Sequence, residues 1–67
     1  MSPNKIKALL IEHDVKQRDI AAKLGVTPGT VSAAISGDRK YRSRRVHDEV
    51  AAQVKRPIHK LWPKLYA

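Results

Sequence analysis

The sequence has no cysteine, no phenylalanine, one tryptophan and two tyrosines among its 67 residues. Without cysteine it can form neither a disulfide framework nor a thiolate metal site. Its three histidines, His13, His47 and His59, form no His-x-x-x-His pair, so we expect no bound metal and no cofactor. A small aliphatic core, completed by a buried Trp62, is therefore expected to hold the fold by packing alone.

Long apolar runs are also missing. No run approaches the roughly 18 residues of a membrane span, and charged residues begin at Lys5, where a signal peptide would need an apolar core. We therefore expect a soluble cytoplasmic protein with no membrane partner. A chain of 67 residues has room for one domain, covering residues 1–67, but not for a deep enzyme cleft. No nucleophile–base set is visible, so we expect no enzymatic activity.

Acidic residues are few: 6 Asp and Glu stand against 14 Lys and Arg, for a formal charge of +8. The excess is uneven, because five basic and three acidic residues occupy positions 1–37, whereas nine basic and three acidic residues occupy positions 38–67. The densest run lies at positions 39–45 and is too charged to be buried. This distribution favours a polyanionic partner such as nucleic acid.

Local signals predict an all-α domain of four to five helices with few strand-like alternations. Helix starts are marked by a capping side chain, in two cases followed by proline, whose missing N–H costs little in the first turn. Helix ends are marked by glycine, which readily adopts the left-handed conformation found there. The starts lie at Ser2-Pro3 or Asn4, at Thr27-Pro28 and at Ser43, and the ends at Gly25 and Gly37. Residues 38–42 are expected to form a polar loop.

The segment 17–37, QRDIAAKLGVTPGTVSAAISG, has the pattern of a helix-turn-helix. Ala21 is small where a second helix must cross closely, Gly25 supplies the positive φ of a sharp turn, and Val26 fills the gap between the helices. The shared buried face is predicted to comprise Ile20, Leu24 and Val31. A helical hairpin within a small bundle is the alternative, but the register of these markers and the basic charge together favour DNA binding.

The segment resembles the lambda-repressor-like (Cro/repressor) helix-turn-helix family of phage and bacterial regulators. Two features are similar to one branch, the Ner/Nlp-like DNA-binding proteins of transposable phages. One is the run Ser-Ala-Ala-Ile at positions 32–35, and the other is the LWPKLY ending with Trp62, Pro63 and Tyr66. The resemblance extends from the first helix to Tyr66. The chain departs from the pattern at residues 38–42, which are richer in arginine.

The resemblance implies that the helix beginning at Thr27 lies in the major groove of double-stranded DNA. Its outward residues include no Arg, Asn or Gln, so we expect modest direct readout supplemented by DNA shape. Arg44 and Arg45 follow the Ser43 cap, where cations are mildly unfavourable, and this indicates an external anion. The expected base contacts are Thr27, Pro28, Gly29, Thr30, Ser32, Ala33 and Ser36. The expected phosphate contacts are Gln17, Arg18, Lys23, Arg39, Lys40, Arg42, Arg44 and Arg45.

The function implied is that of a sequence-specific transcriptional regulator, a repressor of phage or prophage type that occupies a promoter. We expect a monomer or weak dimer in solution that pairs on a palindromic site, associated with the nucleoid of a bacterium or phage-infected host. Two alternatives stay open at this point. One is an antitoxin-like interaction module, and the other is a basic protein that binds nucleic acid without sequence preference.

Overall fold

Helices account for all the regular structure in residues 1–37 and 43–66, the part of the chain that the computed structural model describes. The prediction of an all-α fold with four to five helices is confirmed. Within these ranges no helix is long and apolar enough to cross a membrane. The loop predicted at residues 38–42 lies outside the described residues. The helices are α1 (Pro3–Glu12), α2 (Gln17–Leu24), α3 (Pro28–Ile35), α4 (Arg44–Val54) and α5 (Ile58–Leu61).

Three helices begin at the predicted capping residues. The hydroxyl oxygens of Ser2, Thr27 and Ser43 accept hydrogen bonds from the backbone N–H three positions later, at 3.3, 3.2 and 3.4 Å. Proline occupies the first turn of α1 and of α3. Each cap satisfies one of the N–H groups that a helix start leaves without a partner, and is worth about 1 kcal/mol.

The predicted stop after α2 is also confirmed. Gly25 has φ = 71°, in the left-handed region where a side chain is strained. The next N–H, of Val26, donates to the Ala21 carbonyl at 3.0 Å, which closes the helix end. Gly37 has φ = 79° and follows α3. The chain therefore reverses sharply where glycine permits it, and only three residues separate the end of α2 from the start of α3.

Helix α4 lies at the centre of the core and packs against each of the other four helices. It contributes a buried stripe of four apolar side chains, Val46, Val50, Ala51 and Val54. Trp62 is 4% exposed, which confirms that it packs in the core. The remaining buried apolar side chains come from all the other helices: Ile6, Leu10, Ile20, Ala21, Val31, Ala34, Ile35 and Leu61.

Candidate nucleic-acid interface

The segment 17–37 folds into α2, a tight turn and α3, as the pattern predicted. Ala21 is buried at the contact between the two helices. Ile20 and Val31 are buried beside it, while Leu24 and Val26 are half-buried and pack on the core. The apolar side chains thus hold α3 firmly by one face, and its opposite face stays open to a partner.

The open face of α3 carries only small, uncharged side chains. Thr27, Pro28, Gly29 and Ser36 are exposed. Thr30, Ser32 and Ala33 are half-buried, so the two hydroxyl residues point outward less fully than expected. All seven predicted base contacts therefore lie on one helix of eight residues and its caps, about 12 Å long.

The hydroxyl groups on this face differ in what they can still donate. Thr27 Oγ1 and Thr30 Oγ1 lie 2.9 Å apart, so one of the two hydrogens is shared between them. The Ser36 hydroxyl donates to the Ala33 carbonyl at 2.6 Å, which leaves its oxygen to accept a hydrogen bond. The Ser32 hydroxyl has no hydrogen-bond partner in the described part of the chain. Ser32 can therefore both donate to and accept from an external group.

The residues predicted to contact phosphate fall into two groups, and the first lies at the start of α2. Arg18 is exposed and Gln17 is half-buried. Both line an open groove together with Lys7 of α1 and Lys16, the residue that precedes α2. Sequence reasoning did not single out these two lysines. Lys16 adjoins Gln17 in the sequence, but only the folded arrangement of the helices brings Lys7 to the same groove.

The second group has partners within the protein, and Lys23 is its member on α2. Lys23 Nζ lies 3.1 Å from Glu49 Oε2, although the lysine side chain stays 61% exposed. Gln53 donates to the same carboxylate oxygen at 2.7 Å. The hydrogen bond from Gln53, and then the charge and hydrogen bond of Lys23, lower the pKa of Glu49 despite the opposing effect of its partial burial. Part of the positive charge of Lys23 is therefore neutralised.

Both arginines at the start of α4 also have internal partners. Arg44 Nε lies 3.1 Å from Asp48 Oδ1, and its guanidinium lies 5.1 Å from the centre of the Tyr66 ring. Arg45 Nη2 donates to the Leu24 carbonyl at 3.0 Å. Their position at a helix N-terminus thus has an explanation that requires no external anion. The predicted contacts Arg39, Lys40 and Arg42 lie outside the described residues.

The C-terminal end of α3 is held by side chains from distant parts of the chain. The Trp62 indole N–H donates to the Ile35 carbonyl at 3.1 Å. His47, fully buried, lies 2.8 Å from the Ala34 carbonyl through Nε2 and 2.6 Å from the Tyr66 hydroxyl through Nδ1. The sequence predicts only a structural or surface histidine here. The helical spacing does indicate that His47 is buried, because Val50, Ala51 and Val54 of the buried stripe lie three, four and seven residues after it.

A family model described as helix-turn-helix matches residues 6–42, more than half of the chain. The protein therefore belongs to the lambda-repressor-like helix-turn-helix family. Its class is that of a DNA-binding regulator, with double-stranded DNA as the partner, and the family is not an enzymatic one. Searches of curated proteins and of solved structures returned no significant match.

Proposed function

We propose that this protein is a sequence-specific repressor of phage or prophage type, folded as a single domain over residues 1–67, which inserts α3 into the major groove. The observation that carries the proposal is the contrast between α3 and its surroundings. The open face of α3 is uncharged and built from small side chains, whereas the two helices that pack most against it carry exposed cations: Arg18 on α2, and Arg44 and Arg45 on α4. A neutral face on α3 with cations on the neighbouring helices suits a helix that lies in a groove between two phosphate strands.

Bases are read by the small residues of α3. Ser32 offers both a donor and an acceptor, and Ser36 offers an acceptor suited to the exocyclic amino group of adenine or cytosine. Ala33 and Pro28 present apolar groups to a thymine methyl. Because no side chain on this helix can make the two-pronged contact that Arg makes to guanine, part of the specificity comes from DNA shape and from bridging water.

Affinity comes mainly from the phosphates. Arg18 and Gln17 hold the backbone on one side of the groove, with N–H groups at the start of α2 beside them. Lys23, Arg44 and Arg45 already have partners within the protein, through two ion pairs and one hydrogen bond. They attract phosphates through the part of their positive charge that these partners do not neutralise. Arg39, Lys40 and Arg42 stay predicted contacts on the strength of their charge density in the sequence.

The Ner-like assignment gains support from the role of the C-terminal residues. Trp62 is buried against α3 and Tyr66 reaches His47, so the Trp-Pro-x-x-Tyr ending completes the packing around the reading helix. We further propose that the protein is a monomer or weak dimer that pairs on a palindromic site. Two copies related by a twofold axis then read half-sites about 10 base pairs apart or a multiple of that.

Selection of binding sites from a random duplex pool at physiological salt tests this function with the full chain. The expected result is one enriched motif, arranged as inverted half-sites. With five to seven phosphates neutralised, log K against log salt concentration falls with a slope of about −4 to −6. Equal affinity for selected and random duplexes would indicate a non-specific binder, and a flat salt response would contradict the phosphate contacts.

A further inference from the structure

We propose that His47 is a positioning residue for DNA recognition: its hydrogen bond to the Ala34 carbonyl fixes the C-terminal half of α3 for reading bases. The inference rests on the proposed function. His47 itself is fully buried in α4 and touches no DNA. It acts on the residues around Ala34, among them the proposed readers Ala33 and Ser36.

The geometry determines which nitrogen of the ring carries the hydrogen. A backbone carbonyl can only accept, so Nε2, 2.8 Å from the Ala34 oxygen, is the N–H donor. In the neutral ring Nδ1 is then an acceptor, and the Tyr66 hydroxyl, 2.6 Å away, donates to it. The Ala34 carbonyl therefore selects the tautomer of His47 with its hydrogen on Nε2, and the Tyr66 hydroxyl satisfies the other nitrogen of that tautomer.

The end of α3 depends on this support because the helix is short. Eight residues form no stable helix by themselves, and the last four carbonyls of a helix lack partners within it. Here the Ala34 carbonyl accepts hydrogen bonds from His47 and from the Gly37 N–H, the latter at 3.1 Å. The Ile35 carbonyl accepts one from Trp62. The direction of the helix end is thus set by side chains from α4 and from the C-terminal segment.

Two aromatic neighbours contact the His47 ring, so the histidine cannot shift independently of them. His47 stacks on Trp62 with ring centres 4.0 Å apart, and the Tyr66 ring meets it edge-on at 5.4 Å. A ring that is held by hydrogen bonds at both nitrogens and stacked against Trp62 has little freedom to move. Its removal is expected to let α3 tilt in the groove and to weaken base reading more than phosphate binding.

Binding assays on folded variants provide the test. The measured quantity is the ratio of dissociation constants for the selected site and for a site altered where the C-terminal half of α3 reads. We expect His47→Leu to lower this selectivity by about tenfold, the contribution of one base pair. His47→Gln, which keeps an N–H donor, is expected to restore most of it, and Tyr66→Phe to lose part of it. Val54→Ala serves as the control, since it loosens α4 at its far end.

Three outcomes overturn the inference. One is a folded His47→Leu or Tyr66→Phe protein with wild-type selectivity. Another is a Val54→Ala protein that loses selectivity as fully as the histidine variants, which would assign the effect to stability. The third is a nitrogen-15 spectrum of the wild-type protein that places the ring hydrogen of His47 on Nδ1. A wild-type protein with no preferred site overturns the proposed function as well, whereas the other results leave that function standing.

Discussion

The guanidinium of Arg45 donates a hydrogen bond to the backbone carbonyl of Leu24, 3.0 Å away. The bond joins the first turn of α4 to the last residue of α2, beside the turn of the helix-turn-helix. Cationic side chains commonly satisfy the open carbonyls at a helix end in this way. A hydrogen bond between residues 21 positions apart in sequence thus fixes the position of the helix-turn-helix relative to α4.

Arg45→Ala is therefore expected to destabilise the fold more than Arg18→Gln. The lost hydrogen bond leaves a helix-end carbonyl without its protein partner, at about 1 kcal/mol for a site open to water. Arg18 also lies in the first turn of a helix, but it is exposed and has no partner within the described residues, so its loss should change stability by less than about 0.5 kcal/mol. Urea unfolding of both variants measures the difference. Equal losses, or a larger loss for Arg18→Gln, would remove Arg45 from this role.

Gly25→Ala and Gly29→Ala are expected to have opposite effects on stability. Gly25 has φ = 71°, where alanine is strained by about 1–2 kcal/mol. Gly29 lies in the first turn of α3, and a methyl group there would meet Thr27 Oγ1 at an ordinary 3.8 Å. Alanine at position 29 therefore raises stability by about 0.5 kcal/mol. Thermal unfolding of the two variants checks both signs.

The same Gly29→Ala variant is expected to bind DNA less tightly than the wild-type protein. Gly29 is exposed on the proposed reading face, and an added methyl group holds the helix away from the groove. One added methyl group would thus raise the stability of the protein and lower its affinity for DNA. A variant with wild-type affinity for the selected site would show that α3 does not approach the bases at Gly29.

Arg18→Gln is expected to weaken binding to every duplex by a similar factor. Arg18 is exposed and has no charged partner within the described residues, so its full charge is available to a phosphate. Removing one contact lowers the magnitude of the salt slope by about 0.9. Lys60→Gln, on the exposed side of α5, is the matched control and is expected to keep the wild-type slope. A slope that is unchanged in Arg18→Gln would exclude this phosphate contact.

Stability is expected to fall in acid partly through Glu49. Its folded pKa lies below the ordinary value, so the stabilisation is present above pH about 4.5 and is lost as the pH falls through the lowered folded pKa. The hydrogen bond from Gln53 is the largest cause. Gln53→Ala should therefore flatten the pH dependence of the unfolding free energy more than Lys23→Gln does. The reverse order in urea titrations between about pH 3 and 6, a range that spans the ordinary pKa of glutamate, would identify Lys23 as the main partner.

Signals contained within a few residues predicted the local structure correctly. Ser2, Thr27 and Ser43 cap helices because a hydroxyl three positions before a free N–H can reach it wherever the chain turns helical. Gly25 ends α2 because the left-handed conformation that ends the helix depends on that residue alone. Such features depend on neighbours in sequence, so they survive any arrangement of the helices.

Contacts between helices could not be read in this way. His47 meets Ala34, 13 residues away, and Lys23 meets Glu49, 26 residues away. Each contact requires the positions of two helices relative to each other, which the packing of the whole core determines. This is also why the sequence predicts only phosphate contacts for Lys23 and Arg45, although each has a partner on another helix. The pair of Arg44 with Asp48 differs, because it lies within one helix at a spacing of four residues that the sequence does show.

The central claim, that α3 reads the bases, is tested most directly by the base preferences of Ser32→Ala. The hydroxyl of Ser32 has no partner in the described part of the chain, so its loss should leave the fold nearly unchanged. Site selection is carried out with this variant and with Arg18→Gln. We expect Ser32→Ala to alter the preference at one or two adjacent base pairs by about 1–2 kcal/mol, and Arg18→Gln to keep the wild-type motif. If Ser32→Ala keeps every wild-type base preference, α3 is not the reading helix.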